Sequence, residues 1–165
     1  MEQSYFKRII SNLEEIIAAG FIIVTTILVI INVFLRYFMD TGLYWSEEVA
    51  TGCFVWAVFI GAVAGYKRGK HIGVDILVNL LNAKIQKVVV IIVDIILVLL
   101  NGYMTYLAVI FISLSYIKPT PVLGVSSAYI SSALLVSFGL VTMYSVIFLI
   151  RDIKRKDYTK GGEII

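Results

Sequence analysis

The amino-acid sequence predicts an all-α integral membrane protein with four transmembrane helices and one amphipathic interfacial helix between the second and third. Three observations carry this. Of 165 residues, 60% are hydrophobic and 15% charged, with a mean hydropathy of +0.96; a soluble domain is about 45–50% apolar and about 25% charged. Apolar runs near residues 16–35, 49–65, 88–112 and 128–150 each fall in the range of roughly 17 to 25 residues that crosses a hydrocarbon core. All but Arg36 and Lys118 of the 14 Lys and Arg residues lie before the first run, between the second and third, or after the fourth. The positive-inside rule then places both ends of the chain and the middle loop in the cytoplasm. The chain is expected to form a single membrane domain over 1–165, with spans over 13–38, 45–66, 86–116 and 126–150 and the interfacial helix over 72–86.

Runs such as Phe21-Ile22-Ile23-Val24 are apolar on every side, which sets aside a β-barrel, where apolar and polar residues alternate. The first run follows Lys7 and Arg8 as a signal peptide would. Its core is longer than an h-region and no small-residue cleavage pattern follows, so it reads as a retained helix. Basic residues that flank spans in alternation argue against a nucleic-acid partner, and membrane lipids are the expected contacts. The lone cysteine, Cys53, and the lone histidine, His71, leave no basis for a disulfide framework, structural zinc or a bis-imidazole haem. No cofactor is expected.

In the first helix Thr25, Asn32 and Arg36 recur at spacings that share one helical face, which should meet protein. Asp40 and Gly42 make the short connection a turn, and the second helix opens with Trp45-Ser46-Glu47-Glu48. The antiparallel hairpin brings Arg36 and the two glutamates to similar depth. A structural ion pair of Arg36 with Glu47 or Glu48 is expected, in preference to snorkelling of the Arg or a proton relay. The helix dipole favours both acids in that first turn, with Ser46 as N-cap.

Further along the second helix, Ala57, Gly61 and Gly65 form a small-residue stripe suited to close helix packing. Trp45 suits the membrane interface, while Trp56 lies too deep for that and should pack on protein. After Gly69, the polar residues Asp75, Asn79, Asn82 and Gln86 fall opposite Leu77, Leu80, Leu81 and Ile85, which gives the interfacial helix, opened by His71. The third helix carries Asp94, Asn101 and Thr105 on one face; Asp94, about two turns from Lys87, reads as an interhelical hydrogen-bonding group near the membrane interface, and both it and Asn101 as helix-packing or subunit-interface residues. Pro119 and Pro121 end it in a short extracytoplasmic loop. The serines of the fourth helix, which has no charge inside its span, read as packing residues.

No nucleophile-base-acid set, phosphate-binding loop or metal cluster appears in the sequence, so an enzyme is not expected. Four spans without broken helices are also too few for two gated halves of a self-sufficient transporter. The chain reads instead as an auxiliary subunit whose polar faces meet a larger membrane partner.

Arg36, Trp45-Ser46-Glu47-Glu48, Trp56, Gly61 and His71 with Asp75, in this order and spacing, resemble the small membrane subunit of tripartite ATP-independent periplasmic (TRAP) transporters. The similarity is strongest over 32–81. It implies four spans, a large membrane permease subunit as partner that moves substrate by a sodium-driven elevator motion, and a periplasmic substrate-binding protein that delivers organic acids such as C4-dicarboxylates or sialic acid. It assigns Arg36, Trp45, Glu47 and Glu48 to the family's polar hairpin and His71 and Asp75 to its interfacial segment. It implies no substrate site in this subunit. The last helix of the family often begins at a proline, whereas Val125-Ser126-Ser127-Ala128-Tyr129 has none. The alternative is a membrane-anchor subunit of a redox enzyme, and a small self-assembling channel is a third reading.

Overall fold

A computed structural model describes residues 12–68 and 82–154. It contains helices α1 (Leu13–Phe38), α2 (Tyr44–Arg68), α3 (Ala83–Ser115) and α4 (Ala128–Lys154). All four are long and apolar enough to cross a membrane, and the described residues contain no β-strand beyond one isolated bridge between Pro119 and Ser126. The expected interfacial helix over 72–86 lies outside the described residues as far as 81, and α3 already begins at Ala83.

The helices stand in an open row. α1 packs on α2, α2 on α4, and α4 on α3, while α1 and α3 at the two ends make no close backbone approach to each other. The consequence shows in burial. No residue of α1 is buried, whereas α2 buries Ser46, Ala50, Gly52, Ala57, Ile60, Val63 and Ala64, with Val63 fully enclosed at 0% exposure. A helix with hydrocarbon on most sides must be apolar all round, which is what the α1 sequence, with a mean hydropathy of 2.7 over its most apolar window, supplies.

Each connection follows from local chemistry. α1 ends where Asp40 takes a left-handed φ of 49°, a conformation that Asp tolerates better than most residues, and the Met39 and Thr41 N–H groups return to Leu35 O at 3.0 and 3.3 Å. Asn32 Oδ1 then accepts the Leu43 N–H at 2.9 Å, so the entry to α2 is fixed from α1. Between α3 and α4 the chain makes a compact loop. Thr120 N–H donates to Val125 O at 2.7 Å, Ser127 N–H to Lys118 O at 2.8 Å and Gly124 N–H to Thr120 O at 3.1 Å. Gly124 has φ 65°, where a residue without Cβ carries no steric cost.

Several hydroxyl groups inside the spans are satisfied by the preceding helical turn. Thr25, Thr26, Thr51, Thr142 and Ser145 each donate to the carbonyl four residues earlier at 2.7–2.9 Å. This is how polar side chains are tolerated where no water is available.

Candidate functional site

Polar residues concentrate at the two ends of the helices and along the seam between α2 and α4. At the end that carries the short α1–α2 turn, Asn32 links the helices twice, accepting from Leu43 N–H and donating through Nδ2 to Glu47 Oε1 at 3.4 Å. Glu48 points away from α1: its Oε2 accepts the N–H groups of Val122 and Leu123 at 2.9 and 3.3 Å, which ties the start of α2 to the α3–α4 loop. The Thr120 hydroxyl faces the same carboxylate but lies outside hydrogen-bond geometry.

The ion pair expected of Arg36 with Glu47 or Glu48 is not formed. Among the described residues Arg36 has no ion-pair partner. Both carboxylates have other partners: Glu47 accepts from the Asn32 amide, and Glu48 accepts two backbone N–H groups of the α3–α4 loop. Arg36 instead lines an open pocket of about 340 Å³ with Asn32, Asp40, Gly42, Tyr44 and Glu47. Ser46 is not an N-cap either. The helix has already begun at Tyr44, and the buried Ser46 hydroxyl donates backwards to Leu43 O at 2.7 Å. Trp45 lies exposed beside Tyr44, which is 82% exposed.

At the opposite end, antiparallel pairing joins the first turn of α1 to the last turn of α2. Lys67 Nζ reaches Glu14 Oε2 at 3.1 Å, with Lys67 26% and Glu14 13% exposed, and Arg68 pairs with Glu15 in a wetter setting. From α4 the Tyr144 hydroxyl also donates to Glu14, and Lys67 Nζ sits 5.5 Å from the centre of the Tyr144 ring. Sequence reading missed Glu14, Glu15 and Tyr144. The signal was present: an acidic pair opening one span and a basic pair closing the next must meet in an antiparallel hairpin.

Between the ends, Trp56 stacks on Phe21 of α1 at 5.9 Å and donates from Nε1 to Tyr129 O of α4 at 3.3 Å, so it bridges both neighbours of α2. The Ala57, Gly61 and Gly65 stripe does not act as a unit. Ala57 is buried, a Cβ on Gly61 would meet Ala18 Cβ at an ordinary 3.8 Å, and one on Gly65 would meet nothing within 4 Å. The close approach occurs at Gly52, where an added Cβ would overlap the Tyr129 hydroxyl and lie 3.0 Å from Cζ. On α3, Asp94 at 2% exposure and Asn101 share the buried stripe with Val90, Ala108 and Ser115, facing α4. Asn101 Nδ2 donates to Leu97 O at 2.8 Å, and Thr105 meets Thr142 at 3.1 Å. His71 and Asp75 lie outside the described residues.

Nothing in this arrangement resembles a catalytic centre, and no group of His, Cys, Asp and Glu among the described residues has the proximity to hold a metal ion. Four spans in an open row, pinned by hydrogen bonds at both ends and presenting broad apolar faces, define a small polytopic membrane subunit. The chain belongs to the tripartite ATP-independent periplasmic transporters, DctQ component, whose family description matches residues 25–155. That family is a transporter small permease and not an enzyme.

The chain is 39% identical over 90 residues to the C4-dicarboxylate TRAP transporter small permease protein DctQ of Vibrio cholerae, an alignment that spans 53% of this chain and 39% of that protein. It is 29% identical over 168 residues to a putative TRAP transporter small permease protein of Haemophilus influenzae, spanning 98% of this chain and 97% of the relative. A DctQ small permease of Rhodobacter capsulatus is 27% identical over 106 residues, or 46% of this chain and 47% of that one. These relatives give no support to the redox-anchor alternative.

Proposed function

We infer that this chain is the small scaffold subunit of a sodium-coupled importer of organic acids, of C4-dicarboxylate type as two of its relatives are named, with sialic acid as the second substrate class. Its partners are a large permease subunit, whose transport domain moves by an elevator motion, and a periplasmic substrate-binding protein. Both chain ends and the loop after Arg68 face the cytoplasm, because the basic residues gather there. Arg36, Glu47, Asn32 and Trp45 then lie at the outer interface.

The observation that carries the scaffold role is the open row. A protein that moves a solute must surround it with polar groups at some depth, whereas here the polar groups join neighbouring helices and the outer faces are apolar. Such a wall supports a moving partner by widening its stationary part in the bilayer. The exposed side of α2 at Gly65 and the unburied α1 are the surfaces on which the large subunit is expected to rest.

Reconstitution tests this. The chain alone in proteoliposomes is expected neither to bind nor to move labelled succinate or sialic acid. Together with the large subunit, the binding protein and an inward sodium gradient, uptake appears. Saturable substrate binding to the chain alone, abolished by changing Asp94 or Asn101, would move the site into this subunit and end the scaffold reading. A reporter fused after Ile165 checks orientation, and periplasmic activity there would reverse it.

A further inference from the structure

We propose that the pocket at Arg36 is a binding site for one phospholipid with a phosphoethanolamine headgroup. The inference is independent of which solute the transporter carries. It starts from Arg36, whose guanidinium has five donors and a permanent charge and no ion-pair partner among the described residues. α1 has 26 residues, or about 39 Å at 1.5 Å per residue, so its final turn emerges at headgroup depth beyond a core of about 30 Å. Tyr37, Phe38, Tyr44 and Trp45 stand exposed around it, the aromatic belt that marks this depth.

The shape of the site is that of an amphiphile. The polar mouth of about 340 Å³ adjoins a smaller groove of about 160 Å³ between α1 and α2, with Leu28, Val29, Val33 and Ala50 on its walls. Asn32, Arg36 and Glu47 belong to both. A phosphate held by Arg36 therefore places an acyl chain in the groove below it. Any diacyl phospholipid satisfies that much.

Charge selects the headgroup. The mouth carries one cation, Arg36, and two carboxylates, Asp40 and Glu47. Its sum disfavours a headgroup that brings only negative charge. A phosphoethanolamine matches both signs, with the phosphate on Arg36 and the ammonium donating to Asp40 and Glu47. A choline headgroup has the same net charge but no N–H to donate, so it fills the mouth without those hydrogen bonds.

Native mass spectrometry of the full chain offered equal amounts of dioleoyl phosphatidylethanolamine, phosphatidylglycerol and phosphatidylcholine reads this directly. Phosphatidylethanolamine is expected to be retained roughly tenfold over either competitor, the factor set by about one charge-assisted hydrogen bond at a wet site. Arg36→Gln should lower retention of all three. Asp40→Asn, a change the left-handed turn tolerates, should bring phosphatidylglycerol up to phosphatidylethanolamine without touching the fold, and adding Glu47→Gln should complete the reversal. Equal retention of the three lipids by the unmodified chain would overturn the proposal, as would indifference to Asp40→Asn. Displacement of the lipid by soluble O-phosphoethanolamine or inorganic phosphate at matched concentration would show that the groove contributes nothing and that the ligand is a free phosphate. The same spectra on the complex with the large subunit give the last arm. Loss of the lipid on assembly, with Arg36→Gln weakening the complex, would assign Arg36 to a carboxylate of that subunit and sink the lipid site.

Discussion

At the scale of single residues, α2 separates glycines that matter for packing from those that do not. Gly52 lets the Tyr129 ring of α4 come close, and a Cβ there would collide with the phenol hydroxyl. That hydroxyl is the far end of a side chain 43% exposed, so the ring has room to swing. Gly52→Ala is therefore expected to cost only about 1 kcal/mol, the low end for overpacking. Tyr129→Phe in the same background should recover part of it. Gly61→Ala meets Ala18 at ordinary contact distance and removes backbone freedom, so it should stabilise the isolated chain by up to about 1 kcal/mol. Unfolding midpoints in detergent check both signs, and a destabilising Gly61→Ala would contradict the helix spacing described here. Gly65→Leu is the change informative about the partner, because a side chain there meets nothing within 4 Å: normal folding with impaired assembly would place the large subunit on that face.

At the scale of elements, the α1–α2 hairpin is fixed at both ends by pairs that differ in burial. Glu14–Lys67 is mostly enclosed and shares its carboxylate with Tyr144, whereas Glu15–Arg68 has its Arg 63% exposed. A double-mutant cycle with alanine should give a coupling on the order of 1 kcal/mol or more for the first and about 0–0.5 kcal/mol for the second; equal couplings would show that burial does not govern them. The α3–α4 loop depends on Glu48, so Glu48→Ala should speed amide hydrogen exchange at Val122 and Leu123 relative to Gly102, deep in α3. Unchanged exchange would remove Glu48 as the anchor. The two elements also show what a sequence makes legible. The spans and the hairpin follow from hydropathy, because lipid imposes one solution on every apolar run. The partner of Glu48 does not, because it lies some seventy positions away in a loop whose N–H groups carry no side-chain signature. Arg36 and Glu47 line one pocket, but nearness in the hairpin does not decide which donor a carboxylate takes first.

At the scale of the molecule, the order of the row was not readable from the sequence, since spans of similar hydropathy can pack in several ways in lipid. What selects α1–α2–α4–α3 is a ladder of polar contacts between α2 and α4. Trp56 Nε1 donates to Tyr129 O at 3.3 Å, the Ser137 hydroxyl to Phe59 O at 2.9 Å, and Tyr66 and Ser145 share a hydrogen bond of 2.7 Å, near one end, the middle and the other end of the seam. The sequence showed those serines as scattered packing residues. Their shared role appears only once α4 lies against α2. Interhelical hydrogen bonds in lipid average about 0.6 kcal/mol, so Ser137→Ala alone should leave the row intact. Trp56→Phe, Ser137→Ala and Tyr66→Phe together remove one at each level and should let the α1–α2 pair swing away from the α3–α4 pair. Spin labels at Ile23→Cys and Leu99→Cys, in a Cys53→Ser background, report the distance between the outer helices of the row. The triple change is expected to broaden that distribution, while labels at Ile23→Cys and Val58→Cys, within one hairpin, keep theirs. An outer distance that stays narrow in the triple variant would mean that apolar packing of Val63 and Ala133, each at 0% exposure, holds the seam without the hydrogen bonds.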